Sequence, residues 1–160
     1  MDPYFKKYIK FNYNHRELNF CVSQSLFSSQ DIDVGTRHLL KTIADLKLEK
    51  CGKILDLGCG YGPIGIALKT VYPSSEIHMV DRDALALSYS NQNLEINNLT
   101  GVNVYASLGY DSVTENDFDL IVSNIPAKIG DDAILQEFIL EPYRHLNPKG
   151  ELWIVIIKAL

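Results

Sequence analysis

The residues most able to carry chemistry lie together in one short stretch that begins at an acid. An apolar run ends at Asp56, and Gly58, Gly60 and Gly62 then follow at alternate positions before a helix-like pattern opens with Pro63. Glycine allows a positive φ and lets a ligand approach the backbone closely. Ligands of open α/β sheets bind at the carboxyl ends of the strands. The stretch therefore predicts a strand, a tight turn and a helix that hold a nucleotide-like cofactor.

Two kinds of cofactor compete for this loop. Residues 60–65 match the dinucleotide pattern G-x-G-x-x-G, which places a pyrophosphate on a helix N-terminus. Asp56 would crowd a pyrophosphate, and Pro63 removes an N–H group that the phosphates need. S-adenosylmethionine has no phosphate, and Asp56 suits its ammonium group, directly or through water. The loop therefore favours S-adenosylmethionine over a nicotinamide dinucleotide.

A second acid lies downstream of the loop. Residues 76–81 have the pattern of a strand that ends at Asp81, 19 residues after Gly62. An acid about 20 residues beyond such a loop is placed to bind two ribose hydroxyls. Asp83 fits better as the N-cap of the helix that follows. We therefore expect Asp81 to be the ribose ligand.

Length and composition set further bounds. A chain of 160 residues suits a single domain, 1–160, with one sizeable core. No apolar run is long enough to span a membrane, and the first residues lack the apolar core of a signal peptide. Cys21, Cys51 and Cys59 show no paired metal spacing, and their odd number suggests reduced thiols. We expect a cytoplasmic protein that binds neither membrane nor metal.

The charge is unevenly distributed. The chain has a net charge of −5, but residues 1–16 carry +3 and the remainder −8. The acidic body argues against tight nonspecific binding of nucleic acid by this domain alone. The basic segment interleaves lysines with aromatic residues, a composition that can bind single-stranded nucleic acid. The favoured alternative is a β-hairpin or arm at about residues 1–30 that covers one end of the sheet.

The remaining elements follow from hydrophobic periodicity and turn residues. Strands are predicted at 18–23, 53–57, 76–81, 102–106, 118–123 and 151–157, and helices at 34–46, 62–71, 83–97 and 132–145. Asp33 is the predicted N-cap of the first helix, and residues 147–150 are a predicted turn. The alternation implies an α/β fold, a Rossmann-like doubly wound parallel sheet in three α/β/α layers. No later strand covers the apolar strand 151–157, so we expect a truncated chain, a smaller sheet or self-association through that edge.

Four stretches in this order resemble the class I S-adenosylmethionine-dependent methyltransferases. The nearest likeness is to the methyltransferase small domain group, which includes ribosomal RNA guanine-N2 methyltransferases. The stretches are Phe27 with 33–36 and Leu39-Leu40, then 55–62, then 80–83, then 118–126. The resemblance implies the strand order 3-2-1-4-5-7-6, of which this sequence supplies the first five strands and apparently lacks the last two.

The resemblance also implies a set of cofactor-binding residues. They are Gly35, Thr36, Asp56, Gly58, Cys59, Gly60, Gly62, Asp81, Arg82, Ser107, Leu108 and Asn124. In this set Asp56 and the glycines line the methionine end, Asp81 binds the ribose and Arg82 flanks the adenine. Many relatives place an acid for the adenine amino group where this chain has Leu108. We therefore expect the adenine to be recognised by backbone groups and by shape, or by Asp111.

Asn124 begins the motif that the family uses for catalysis, Asn-Pro-Pro-aromatic. An exocyclic amine is a poor nucleophile because its lone pair is delocalised into the ring. The Asn124 side-chain oxygen and the Ile125 carbonyl can accept its two N–H bonds and hold the nitrogen for displacement, while Pro126 stiffens the loop. These three residues are the predicted catalytic set.

This chain lacks the aromatic residue of the motif. The position is occupied by Ala127, which offers no stacking surface, so Tyr13 and Phe27 are the candidate replacements. Lys128 is a candidate partner for a phosphate or carboxylate of the substrate. We therefore expect methyl transfer to an amine nitrogen, with a base in RNA as the first substrate class. A small metabolite, a protein side chain or a catalytically silent cofactor-binding subunit are the alternatives.

Overall fold

The computed structural model describes residues 3–26, 28, 30–46, 51–125 and 130–156. The strands are β1 (Phe5–Tyr13), β2 (Arg16–Ser23), β3 (Lys53–Leu57), β4 (Glu76–Asp81), β5 (Val102–Ala106), β6 (Phe118–Ile125) and β7 (Leu146–Ile156). The helices are α1 (Val34–Leu46), α2 (Pro63–Val71), α3 (Ala84–Ile96) and the short α4 (Asp131–Ala133). Within the described residues, no helix is both long enough and apolar enough to cross a membrane.

The central sheet has five strands in the order β5-β4-β3-β6-β7, and every neighbouring pair is parallel. This confirms the predicted Rossmann-like sheet and the first five strands of the expected order. The chain starts the sheet at β3, builds outward to β5, and then crosses to β6 on the other side. In sheets of this type, ligands bind in the crevice where the strand order reverses, which here is between β3 and β6.

Both faces of this sheet are covered. Successive strand residues point to opposite faces, so Ile54 and Met79 pack toward α1, α2 and α3, together with the apolar side of the β1–β2 hairpin. On the opposite face Leu55 and Val80 pack with residues after β5 and with Phe138 from the segment that follows α4. The fold therefore has the predicted three layers.

The two N-terminal strands form a separate antiparallel hairpin. Besides its apolar packing on the core, the hairpin is attached to the main domain by two asparagines spaced four residues apart on α3. The Asn93 side chain accepts from the Cys21 backbone N–H at 2.7 Å and donates to the Cys21 carbonyl at 3.0 Å. Asn97 does the same for Asn19, at 2.9 and 2.7 Å. The two amides thus replace a neighbouring strand along the free edge of β2.

Both predicted helix caps are present. The Asp33 Oδ2 accepts from the backbone N–H of Thr36 at 3.2 Å, and the Asp83 Oδ1 accepts from that of Leu85 at 2.8 Å. Each bond satisfies an N–H group that has no partner inside its helix.

The single helix predicted at 132–145 is wrong in type. α4 continues as a π-helical segment, Ile134–Leu140, and then as a 3-10 turn, Glu141–Arg144. Pro142 supplies a physical reason, because it has no backbone N–H to continue an α-helical ladder and is tolerated in the first turn of a new helix.

The turn predicted at 147–150 lies inside a strand instead of before it. Phe118 of β6 pairs with Leu146 of β7, but Leu120 pairs with Glu151, so the intervening residues of β7 bulge out of the ladder. The Asn147 side-chain oxygen accepts from the backbone N–H of Lys149 at 2.8 Å, which is the turn chemistry that the sequence suggested. Strand β7 therefore begins before this bulge, and its outer edge pairs with no other strand of the described chain.

Candidate functional site

A cavity of about 410 Å³ opens at the carboxyl ends of β3, β4 and β6. It therefore lies at the reversal of strand order, where ligands of such sheets bind, and its volume is within the range of small-molecule sites. The loop after β3, the end of β4, the loop after β5 and the start of α1 each contribute part of its wall.

The glycine loop forms the floor of this cavity. Gly58 and Gly60 both line it, with φ values of 73° and 58°. A Cβ atom added at either position would meet no atom within 4 Å, so the loop presents bare backbone to open space. The backbone N–H groups of Gly58 and Cys59 both donate to the Val80 carbonyl at 2.9 Å, which fixes the loop on β4.

The other two glycines of the motif serve packing. Gly62, with a φ of 94°, is the N-cap of α2, and a Cβ there would lie 2.7 Å from Cε of Met79. A Cβ at Gly65 would lie 2.6 Å from the Met79 sulfur. Neither lines the cavity, and both allow close packing of α2 on β4; the predicted cofactor contact of Gly62 stays a prediction.

Asp56 does not line the cavity, and its predicted contact with an ammonium group, directly or through water, stays a prediction. It is fully buried beneath the loop, where Oδ2 accepts from the backbone N–H of Gly65 at 2.8 Å and Oδ1 has no hydrogen-bond partner. The pKa of Asp56 is raised to about 7, chiefly by burial; the Gly65 bond opposes this rise and the nearby Asp81 charge adds to it.

Asp56 nevertheless argues against a dinucleotide, through a different contact. α2 begins at Pro63, which has no N–H, and the N–H of Gly65 already donates to Asp56. Two of the first three amide positions of the helix are therefore closed to a pyrophosphate, which needs such groups.

Asp81 lies where a ribose ligand was predicted. It is half-buried and lines the cavity. Its Oδ2 accepts from the backbone N–H of Gly60 and its Oδ1 from that of Asp83, both at 2.9 Å. These bonds hold the carboxylate against the cavity wall, and each oxygen keeps further capacity to accept. The neighbouring Arg82 also lines the cavity.

The loop after β5 supplies an apolar wall. Leu108 is exposed and lines the cavity, whereas the Ser107 hydroxyl is engaged within its own loop, donating to the Gly109 carbonyl at 2.8 Å and accepting from the Ser112 backbone N–H at 3.1 Å. Asp111 does not line the cavity. Of the two predicted modes of adenine recognition, recognition by backbone groups and shape therefore suits this loop better than recognition by Asp111.

Asn124 meets two residues from the start of α1 at the cavity wall. Its Nδ2 donates to Oδ2 of Asp33 at 2.7 Å and to Oγ1 of Thr36 at 3.1 Å, and all three residues line the cavity. A carboxylate can only accept, so the amide nitrogen must face Asp33. Asn124 Oδ1 then remains available as a hydrogen-bond acceptor. We call the cluster of Asn124, Asp33 and Thr36 the amide clamp.

Gly35 makes room for the amide clamp. A Cβ at Gly35 would lie 2.9 Å from Asp33 Oδ2 and 3.3 Å from Asn124 Oδ1. Gly35 does not line the cavity, and its predicted contact with a cofactor stays a prediction. Asp33, predicted only as a helix cap, is instead part of the site.

The rest of the predicted catalytic stretch is only partly described. Ile125 is buried on the sheet face that packs with Phe138. Pro126, Ala127, Lys128 and Phe27 lie outside the described residues. Tyr13 is buried, and its hydroxyl donates to the Leu40 carbonyl at 3.0 Å, so the prediction that Tyr13 could stack on a substrate is wrong.

Several cavity residues carry no signal in the sequence. Leu26 and Ser28 come from an irregular loop without periodicity, and Tyr61 occupies a variable position of the G-x-G-x-x-G pattern. Glu137 and Phe138 reach the cavity from the π-helical segment, where the wider turn changes which residues share a face.

The cavity wall carries more negative than positive charge. It includes the carboxylates Asp33, Asp81, Asp83 and Glu137, but Arg82 is its one cationic side chain among the described residues. A concave surface lined by one sign of charge attracts ligands of the opposite sign. The balance suits a cationic ligand better than a phosphorylated one.

The parallel sheet, the bare glycine loop and the acid at the end of β4 define an α/β domain that binds a nucleoside-type cofactor. The model of the family "Methyltransferase small domain" matches residues 17–160, and this chain belongs to that family. The match confirms the predicted class, an S-adenosylmethionine-dependent methyltransferase.

Individual relatives agree with this assignment. The protein YbxB of Bacillus subtilis is 35% identical over 149 residues, which are 92% of this chain and 73% of YbxB. Ribosomal RNA small subunit methyltransferase C of Haemophilus influenzae is 42% identical over 149 residues, 89% of this chain and 44% of the relative. The chain thus spans less than half the length of that relative.

A solved structure shares the fold. The 16S rRNA guanine-N2 methyltransferase RsmC of Thermus thermophilus, in complex with AdoMet and guanosine, superposes with a TM-score of 0.81 at 25% identity. The similarity covers 92% of this chain and 41% of that one.

Proposed function

We propose that this chain transfers a methyl group from S-adenosylmethionine to the exocyclic amine of a guanine in small-subunit ribosomal RNA. The observation that carries the proposal is the amide clamp, which leaves Asn124 Oδ1 as a hydrogen-bond acceptor at the cavity wall. We infer RNA as the substrate from the similarity to the methyltransferase C relatives, and guanine as the target base from the similarity to the RsmC complex.

The cavity residues fit the cofactor. Asp81 would hold the ribose, the bare backbone of Gly58 and Gly60 would lie against the nucleoside and methionine parts, and Leu108 would cover the adenine. When bound, the cofactor supplies an electrophilic methyl group on a sulfonium centre. The acidic lining stabilises a ligand of net positive charge.

The chain's own contribution to chemistry is positioning. Asn124 Oδ1 accepts one N–H of the substrate amine, and the Ile125 carbonyl accepts the other. When both N–H groups are hydrogen-bonded, the lone pair of the amine nitrogen is the one part of that atom left free to react with the methyl group. Fixed orientation of this kind lowers the barrier by several kcal/mol. The methylated nitrogen is a strong acid, so it releases its proton to water without a positioned base.

The proposal is tested with cofactor labelled on its methyl group. Purified protein is incubated with unmethylated small-subunit ribosomal RNA, free and assembled with its ribosomal proteins, and the RNA is digested to nucleosides. We expect the label in N2-methylguanosine. Label in protein or in a small metabolite, with none in RNA, would contradict the proposed substrate.

Asn124→Ala tests the clamp within this proposal. We expect the methylation rate to fall by about 100-fold or more, since orientation of the amine is lost, while the affinity for S-adenosylmethionine stays nearly unchanged. Asn91→Ala is the matched control, because Asn91 is exposed on α3 and far from the clamp in the chain. Normal turnover of the Asn124 variant would remove Asn124 from the mechanism.

A further inference from the structure

The outer side of the N-terminal hairpin carries a group of exposed aromatic rings. Tyr8 is 65% exposed, Tyr4 50% and Phe5 41%. Strict alternation along β1 would place Phe5 on the same side as the buried Ile9. The pairing with β2 shifts register between Phe5 and Lys7, and a bulge of this kind turns a side chain to the other face.

The bulge brings two rings together on the outside. The centroids of Phe5 and Tyr8 lie 5.2 Å apart, with the ring planes at 53°. Large aromatic side chains that stay exposed on a strand are unusual, because their burial is favourable. We call Tyr4, Phe5, Tyr8 and the three lysines of β1 the hairpin patch.

The hairpin patch is also the basic part of an acidic chain. Lys6, Lys7 and Lys10 lie on β1, which holds no acid, and Glu17 of β2 pairs with Lys10 at 2.9 Å on the surface. Residues 3–23 carry a net charge of +3, whereas the whole chain carries −5. A polyanion that approaches this molecule is therefore attracted to the hairpin and repelled elsewhere.

The hairpin patch adjoins the cavity along the chain. The Tyr4 carbonyl accepts from the backbone N–H of Gln24 at 3.2 Å. Leu26 and Ser28, only a few residues further on, line the cavity wall. The aromatic end of the hairpin is thus the end that leads into the candidate site.

We propose that the hairpin patch binds unpaired nucleotides that flank the target base. Phe5 and Tyr8 stack on bases, and the lysines of β1 pair with phosphates, which is how proteins hold single strands without reading sequence. A duplex keeps its bases stacked on one another and offers them to no aromatic side chain. The inference rests on the proposed function, because it assumes that the substrate is RNA.

The test measures binding of the full chain to a short labelled single-stranded RNA of mixed sequence, and to its duplex, by fluorescence anisotropy. We expect Phe5→Ser combined with Tyr8→Ser to weaken single-strand binding about tenfold or more, and Lys7→Gln combined with Lys10→Gln to weaken it and reduce its salt dependence. Tyr143→Ser is the control, because Tyr143 is 78% exposed on the 3-10 turn. Cofactor affinity and melting temperature should stay unchanged in all variants.

The outcomes separate this inference from the proposed function. If the wild-type chain methylates RNA but the aromatic double variant binds and methylates RNA equally well, the inference is overturned and the function stands. If the double variant loses RNA binding while the wild-type chain methylates no RNA, the hairpin patch still binds single-stranded RNA and the proposed function fails. A wild-type dimer that becomes monomeric in the double variant, with RNA affinity unchanged, would make the patch a self-association surface and overturn the inference.

Discussion

Asp33 shows how one carboxylate sets the direction of another side chain. It accepts from the backbone of Thr36 as a helix cap and from the amide nitrogen of Asn124 with the same oxygen, Oδ2. Thr36 Oγ1 adds a second acceptor for that nitrogen. A flipped Asn124 would set its oxygen against the carboxylate, which is unfavourable. Asp33 is therefore a positioning residue for the proposed reaction.

Asp33→Ser separates positioning from folding. Serine is a good N-cap, but its side chain is too short to bridge to Asn124. We expect kcat to fall about tenfold or more, while the melting temperature and the KM for cofactor change little. Asp33→Asn keeps an acceptor oxygen and should recover much of the rate. A serine variant with normal kcat would show that the clamp does not need Asp33.

The buried carboxyl of Asp56 makes stability depend on pH in an unusual direction. Its pKa rises from the ordinary value of 3.8 to about 7 in the folded state. Between these values the folded chain binds more protons than the unfolded chain. The contribution of Asp56 to the free energy of unfolding therefore declines as the pH rises from about 4 to about 7, by up to ~4 kcal/mol.

Asp56→Asn checks this dependence. Asparagine can still accept from the Gly65 N–H and cannot ionise. We expect the variant to be more stable than the wild-type chain at about pH 8 and to lose less stability between about pH 5 and 8. Urea denaturation at both pH values measures this, with the exposed Asp45→Asn as control. Parallel pH curves for variant and wild-type chain would contradict the assigned shift.

At the scale of elements, α3 is hydrogen-bonded to both the hairpin and the glycine loop through the side chain of Asn93. Besides its two bonds to Cys21, the Asn93 amide donates to the Tyr61 carbonyl of the glycine loop at 2.9 Å. Asn93 thus links the hairpin, the helix and the cavity floor, and it is fully buried.

Asn93→Ala should be among the most destabilising substitutions on α3. It removes three hydrogen bonds to buried backbone groups, each worth about 1–3 kcal/mol, so we expect a loss of about 3 kcal/mol or more in the free energy of unfolding. Chemical denaturation measures the loss. Asn91→Ala, on the exposed side of the same helix, should change little. Equal effects of the two substitutions would mean that the hairpin attaches by other contacts.

The elements also show what sequence patterns can predict. β3 and β4 have the predicted bounds because buried parallel strands have apolar runs between turn residues. β5 is a less buried edge strand and also has the predicted bounds. The π-helical segment was not predicted because its residues favour a helix and hydrophobic periodicity does not separate a π-helical turn from an α-helical one. The position of Asp81 at the cavity could be predicted because ligands of such sheets bind at the carboxyl ends of the strands, and Asp81 ends β4. The burial of Asp56 and the bond from Asn124 to Asp33, 91 residues apart, depend on tertiary contacts that no local pattern encodes.

At the scale of the whole molecule, the outer edge of β7 is open among the described strands. Open apolar edges are templates for strand pairing, so we expect the mass of the chain in sedimentation to rise with concentration. Ile156→Lys on this strand should reduce the association, whereas Leu135→Lys, an equally exposed position after α4, should not. A stable monomer of high melting temperature at every concentration would contradict this.

The attachment of the hairpin through Asn93 has a consequence for synthesis on the ribosome. The hairpin precedes α3 in the chain, and the Asn93 that binds the backbone of Cys21 is synthesised 72 residues later. At about 5–20 residues per second, that delay is roughly 4 to 15 s. During this time the apolar side of the hairpin, with Ile9, Phe11 and Phe20, has emerged without the helix that holds it in place. The nascent chain is therefore, besides the finished protein with its open β7 edge, a species whose exposed strands favour aggregation or need a chaperone.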